Sequence, residues 1–513
     1  MSESSAADDG SVAFEEALNK TGNGTYNVLL VLTSSLILLG IGMDLFGFTL
    51  VVTAACDLHL TVAQKGILTS LPFVGIILAS YVWGYVSDTK GRRFTLVIPL
   101  LISFALNCIS SLANHWLVLG LLKFLSVCFS CAANSVTYTI VGETCVQRVR
   151  NKYMLLMTCL LLLAPAVSGV MAYANNFPVL TYPTLKLDFA TDLSTIGVVY
   201  KPWRLLIIVL ALPLGMGALA MFFFYESPKF LFNCGRKDEA MEVLKGIYAI
   251  NHRTSKNNYK IRLMKIERKT ETKSASIWRA VYEQSAPLFR EPYLLRSLQL
   301  FYIVSVAYIT NNSFLIWLPH IMEQVRKSLQ ANGTRTGNVC ELIHTEATGN
   351  LSSSDSSENC LGTVEDNVVF TLIISQTIFS LLNFVLSYLP NHRRPVLLTV
   401  LSVSAVSGVL INLTPETISS VIFFMMFTCT CLGMGIMASY FVDLYPTSHR
   451  GMVTCLSIMV GRSSAFMGIN LVGHLIFNYC QLTFYLWSLL VLTSVVAAWF
   501  LPPDRHEKLK TSN

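Results

Sequence analysis

The chain has 513 residues, 53% of them hydrophobic and 13% charged, with a mean hydropathy of +0.55. Soluble domains carry about 25% charged residues, so a soluble globular protein is excluded and an α-helical membrane protein remains. The formal charge of +7 does not imply nucleic acid. Its cations gather in short segments on one side of the apolar runs, as cytoplasmic loops require.

Residues 1–25 are polar and mildly acidic (Asp8, Asp9, Glu15, Glu16), with no basic start ahead of a short apolar run. They read as a disordered cytosolic tail without a cleavable signal. A bilayer takes about 20 apolar residues to cross. Such runs recur near 27–53, 64–86, 94–113, 116–141, 153–174, 203–224, 294–318, 367–389, 395–412, 418–440, 452–475 and 481–501. The fold class is therefore all-α, with twelve transmembrane helices in two six-helix bundles. Residues 26–226 form the first bundle and 294–501 the second. Residues 227–293 link them on the cytoplasmic side, and 502–513 form a cytosolic tail.

The first run holds one acid, Asp44. A charge at that depth is costly and faces a polar cavity or a partner, so Asp44 is either a substrate or proton site or half of a structural pair. Gly84-Tyr85-Val86-Ser87-Asp88-Thr89-Lys90-Gly91-Arg92-Arg93 then joins the second and third runs as a polar cytoplasmic turn. Asp88 is placed to accept hydrogen bonds at a helix start. The fourth run carries Lys123, either a functional cation or one that snorkels outward, followed by Asn134 and, at its inner end, Glu143. Glu143 is in a position to pair with Arg92, Arg93 or Arg148.

Ser227-Pro228 after the sixth run reads as an N-cap with proline in the first helical turn, and Gly235 as the stop of that short helix. Asp238 through Ile250 reads as a second, amphipathic helix. The seventh run holds Asn311 and Asn312 inside apolar sequence. The longest outer segment, 323–366, contains Asn332-Gly333-Thr334 and Asn350-Leu351-Ser352, two glycosylation sequons. Cys340 and Cys360 lie well inside it, either joined by a bridge that an oxidising outer compartment would favour or left as two free thiols in a flexible loop. Asn391-His392-Arg393-Arg394-Pro395 echoes the 84–93 turn without its acid and glycines. Arg462 is embedded about ten residues into the eleventh run. Equivalent loops in the two halves imply parallel repeats about an axis along the membrane normal.

Three groups of residues carry a resemblance. Gly84 through Arg93 resembles the loop signature of the major facilitator superfamily. Glu226-Ser227-Pro228-Lys229-Phe230-Leu231 is similar to the motif after the sixth helix in its sugar and organic-ion branches. Tyr445-Pro446-Thr447, Arg450-Gly451 and Gly461-Arg462 match the same branches around helices ten and eleven. With Cys56-Asp57-Leu58, Lys65-Gly66 and Trp83-Gly84-Tyr85, they resemble insect-type relatives of synaptic vesicle glycoprotein 2.

The resemblance implies a central cavity served by alternating access, gated by Gly84, Asp88, Gly91, Arg92, Arg93, Glu143, Arg148 and Arg450. Asp44, Asn134, Asn311, Asn312 and Arg462 are the expected cavity residues. The expected function is transport of a small organic solute, with a proton or ion as coupling partner. The alternative is a non-transporting membrane glycoprotein that binds partners. The membrane would be a plasma or synaptic-type vesicle membrane, with lipid as neighbour and the chain a monomer. No Walker A pattern is present, which argues against a nucleotide-driven pump. No constellation outside the apolar runs suggests an enzyme, a metal or a cofactor.

Overall fold

The computed structural model of the chain describes residues 11–12, 14–176, 191–193, 198–259, 262–263, 286–291, 293–332, 338–341, 366–386, 393–445 and 450–502. Among them, twelve helices are long and apolar enough to cross a membrane, numbered here as spans 1 to 12. They are Thr25–Ala54, Val62–Ser87, Arg92–Ser110, Trp116–Thr144, Gln147–Tyr173, Pro202–Met221, Leu294–Met322, Val369–Leu386, Arg393–Leu413, Thr417–Met437, Leu456–Ile476 and Cys480–Trp499. Outside the spans are short helices and two small strand pairs: Ser11–Val12 pairs in parallel with Arg262–Leu263, and Thr191–Leu193 pairs antiparallel with Val198–Tyr200.

Packing repeats between the halves. Span 1 lies along spans 5 and 6, as span 7 lies along spans 11 and 12. Span 3 packs on spans 4 and 6, as span 9 packs on spans 10 and 12. The halves meet along two equivalent seams, span 2 on span 11 and span 5 on span 8. Spans 4 and 10 are each interrupted near their middle, at Cys131–Ala132 and at Thr428–Thr430. Leu117, Leu121 and Leu125 follow one another at four-residue spacing on span 4 and are exposed, as a face turned to hydrocarbon is.

Local chemistry sets the helix ends. A reciprocal capping box opens span 2, with Thr61 accepting from Gln64 N–H and Gln64 from Thr61 N–H. The helix continues to Lys90, and the reversal into span 3 is made at Gly91 (φ 114°). The polar stretch from Gly84 is therefore mostly helix, with Asp88 in its last turn rather than at a helix start. Ser227 caps Phe230 N–H at 3.1 Å ahead of Pro228, as expected. The helices of the linker are Pro228–Asn233 and Lys237–His252.

Two expectations are corrected. Residues 14–25, placed in a disordered tail, are folded: Phe14–Lys20 is helical, and Phe14, Ala17 and Leu18 are buried. Phe14 stacks on Phe232, and Tyr259 donates its hydroxyl hydrogen to Ala17 C=O at 2.7 Å. The disulfide is also different. Cys340 is bonded to Cys480, with α-carbons 5.4 Å apart, so it cannot be the partner of Cys360. Residues 338–341 reach that position because Asn338 donates to Asn412 C=O and Val339 N–H to Ser420 Oγ. Those contacts carry the segment onto the turns between spans 9 and 10 and between spans 11 and 12. Cys56 is disulfide-bonded too. Cys360 and Asn350 lie outside the described residues, and Asn332 ends the helix of span 7.

Candidate functional site: a seam cavity and a polar latch

Asp44 and Lys123 find each other. Asp44 is 3% exposed and Lys123 2%, so the lysine does not snorkel. Its Nζ lies 2.5 Å from Asp44 Oδ1 and 3.2 Å from Asn107 Oδ1. Asn107 Nδ2 donates to Ser126 Oγ at 2.8 Å, and Ser126 meets Ser103 at 2.9 Å. Phe48 covers the ammonium with its ring centroid 4.9 Å away. Spans 1, 3 and 4 thus share a closed polar network inside the first half. A buried pair of this kind costs desolvation and survives only where further hydrogen bonds complete it.

Beside the pair lies a small cavity of about 20 Å³, room for roughly one water. Asp44, Asn134 and Arg462 all line it, with Ile76, Ser130 and Cys131. Three of the five cavity residues expected from sequence are therefore brought together across the seam between the halves. Asn311 and Asn312 are buried in span 7 but do not line this cavity. Asn312 instead donates to Tyr308 C=O one turn back. The Arg462 guanidinium lies between two aromatic rings from opposite halves, 5.5 Å from Phe73 and 5.7 Å from Tyr308. Tyr308 belongs to the polar cluster that the sequence shows in the seventh run, whereas Phe73, an aromatic in an apolar run, carries no distinguishing pattern.

The latch is at the basic end of the molecule. Arg92 makes a two-pronged pair with Glu143 (3.2 and 3.3 Å) and donates to Ser87 C=O at 2.6 Å. Ser227 Oγ donates to Glu143 at 2.5 Å. Glu226 supplies what span 3 lacks. Gly91 has no side chain to cap the helix, and the Glu226 carboxylate accepts N–H bonds from Arg92 (2.8 Å) and Arg93 (3.1 Å) instead. An acid is well placed there because unsatisfied N–H groups and the helix dipole both favour negative charge. A Cβ at position 91 would run into that carboxylate, so glycine is needed for space as well as for its φ. Arg93 donates to Phe222 C=O and lies over its ring. Arg148 is exposed and in no ion pair among the described residues. The side chains of Asp88 and Arg450 lie outside what is described. Sequence reasoning missed Glu226 as the organiser, although its place before Ser227-Pro228 was visible.

A larger cleft of about 550 Å³ opens beside the latch, lined by Lys90, Arg93, Glu226, Arg236 and Glu239. Arg236 and Glu239 pair with each other at its rim and are solvent-exposed. The cleft is a surface feature, and the seam cavity is the better candidate for a solute site because groups from both halves meet there.

The ends of the seam differ. At the end away from the latch, Asn470 donates to Ser70 Oγ at 3.0 Å, joining spans 11 and 2. Gly66 there packs against Trp317, which donates to Ile469 C=O. At the latch end, no described atom comes within 4 Å of where a Cβ on Gly84 would stand.

Solved structures share this fold. The xylose transporter XylE of E. coli, in a partially occluded inward-open conformation, superposes with a TM-score of 0.64 at 11% identity, over 94% of this chain and 99% of that one. A D-xylose–proton symporter gives 0.62 at 12% identity, over 94% and 99%. At such identities the likeness concerns the fold. Among named proteins, synaptic vesicle glycoprotein 2C of Rattus norvegicus is 25% identical over 242 residues, 47% of this chain and 32% of that protein. Synaptic vesicle glycoprotein 2B of Mus musculus is 20% identical over 330 residues, 60% of this chain and 47% of that protein. The chain thus spans less than half the length of either relative. Residues 32–337, with both the latch and the Asp44–Lys123 pair inside them, match the sequence profile of the Major Facilitator Superfamily, and the chain belongs to that superfamily.

Proposed function

We propose that the protein carries a small organic solute across its membrane by rocking its two halves about the seam cavity. The observation that carries this reading is the cavity itself: span 11 brings Arg462 to a site that spans 1, 2 and 4 line from the other half. Closing the seam at Ser70–Asn470 and parting it at the latch, then the reverse, would expose that site to each side in turn. Gly84, Asp88, Gly91, Arg92, Arg93, Glu143, Arg148 and Arg450 form the gate in this reading. The Asp44–Lys123 pair is the element through which a coupling proton would act. The basic end faces the cytosol, with both termini, in a plasma or vesicle membrane.

The test is uptake of a broad solute panel into proteoliposomes holding the full chain, compared with protein-free vesicles and with D88N. Flux of at least one solute, reduced several-fold in D88N, is expected. Undiminished flux in D88N would remove Asp88 from the gate. Absence of flux for every solute would favour a glycoprotein that uses the fold to bind partners.

A further inference from the structure

We propose that Cys56 is joined to Cys360 by a disulfide that ties the two halves together at their outer ends. The partner follows by elimination. The chain has thirteen cysteines. Eight are free thiols and Cys340 is bonded to Cys480, which leaves Cys56, Cys360 and Cys455. Cys56 is disulfide-bonded, so its partner is one of the other two. Distance excludes Cys455. It stands fifteen residues before Asn470 in the helix Arg450–Asn478, about 22 Å toward the latch at the helical rise per residue. Cys56 lies at the other end, in the turn between spans 1 and 2, and a disulfide needs α-carbons within about 7 Å of each other. Cys360 remains, six residues ahead of the helix Asp366–Leu386 that contains span 8.

The surroundings of Cys56 suit an anchor. The next residue, Asp57, accepts from Trp203 Nε1 at 2.8 Å and from Arg204 at 3.4 Å. Arg204 is buried and donates to Ser111 C=O at 3.0 Å and Ala113 C=O at 2.7 Å. The turn that carries Cys56 is thereby fixed to span 6 and to the turn between spans 3 and 4. The thiols also sort by side. Cys340 and Cys480 are bonded at the end of the molecule that bears Cys56, whereas Cys145 and Cys234, at the latch end, are free, and Cys234 is exposed. That is the pattern of an oxidising compartment outside and a reducing one inside. Joining Cys56 to Cys360 releases two protons and two electrons, which the disulfide of a thiol oxidoreductase takes up as it becomes a dithiol.

The halves are then held together at both faces, by the linker inside and by sulfur outside. Cys340–Cys480 cannot serve this purpose, because both of its cysteines belong to the second half. The outer tie has slack. Six residues of extended chain reach at most about 22 Å, so the seam can part while the distance from the turn of spans 1 and 2 to span 8 stays bounded. The bond is a leash on the outer ends, and it holds whether or not the protein carries a solute.

Peptide mapping of the full-length protein, alkylated before extraction and digested without reductant, tests the pairing. One linked pair of peptides, containing Cys56 and Cys360, is expected. A protease site inserted after Glu271 in the linker gives a second readout. After cleavage, the two halves should run as one band on a denaturing gel without reductant and as two bands with it. C56S and C360S should each give two bands without reductant, and C340S/C480S should still give one. The proposal is overturned if Cys56 of the wild type is recovered alkylated or linked to any other cysteine, if the cleaved halves part without reductant, or if they stay joined in C56S or C360S. Should a variant fail to fold, the peptide map of the wild type decides.

Discussion

Asp44 and Lys123 are 79 residues apart in the chain and form one buried unit. Both stood out in the sequence as charges in apolar runs, but their pairing was not legible there. It depends on how spans 1 and 4 are rotated about their axes, and hydropathy does not report rotation in a helix that is apolar all round. Removing one partner leaves the other charge buried alone, a loss of about 3–5 kcal/mol, whereas replacing both with apolar groups is close to neutral. D44A should therefore lower the unfolding midpoint strongly, and D44A/K123M should recover most of it. The check is a thermal melt of the three proteins in the same detergent. A double variant as unstable as the single would mean that the surrounding network needs these side chains for more than charge balance. Arg462 was legible for the same reason as Asp44, and Tyr308 as part of a polar cluster, but Phe73 beside it was not.

At the scale of elements, the latch and the N-terminal segment show what pattern reading gains and loses. Pro228 and Ser227 announce a helix start by chemistry local to four residues, and the structure agrees. Span 3 has no such local signal, because the group that caps it, Glu226, lies over 130 residues away. The N-terminal segment was misread for a related cause. One turn of apolar residues cannot stabilise a helix alone, and its support comes from Gln147, Arg150, Lys229, Asn251 and Tyr259.

Glu15 joins two of these, 3.1 Å from Arg150 and 3.3 Å from Lys229. Partial burial raises its pKa, but the two cations outweigh that and hold the carboxyl below its ordinary value of 4.5. The folded-state pKa is thus depressed, so its stabilising contribution is complete above about 4.5 and is lost as pH falls through the lower folded value. Hydrogen exchange over residues 14–24 should be slow at neutral pH and accelerate below that point. E15Q should remove this acid-side dependence. A protection profile identical in wild type and E15Q would show that the pair does not hold the segment.

For the whole molecule, the twelve spans and the two-fold repeat were legible because hydrocarbon demands both a minimum apolar length and internal hydrogen bonding. Which end of the seam is closed was not. Ser70, Asn470, Gly66 and Trp317 carry no pattern in one sequence, and their meeting is a property of the assembled halves. If the halves must part there during the cycle, tying them will stop it. S70C/N470C, oxidised to a cross-link, should lose most solute uptake, while each single variant under the same oxidation should not. Full cross-linking with unchanged uptake would exclude this seam from the moving parts.

The folded N-terminal segment has a consequence for how the protein is built. Among the described residues, the hydrogen-bond partners of residues 14–24 outside the segment itself and span 1 run from Gln147 to Tyr259, and Ser11–Val12 pairs with Arg262–Leu263 in the linker. On the ribosome the segment emerges well before any of them, and span 1 enters the bilayer while residues 14–24 still have nothing to fold against. They are made early and folded late. Their docking marks the moment when the first six spans and the linker helices behind them are all in place, which makes the segment a natural reporter of completed assembly in that half.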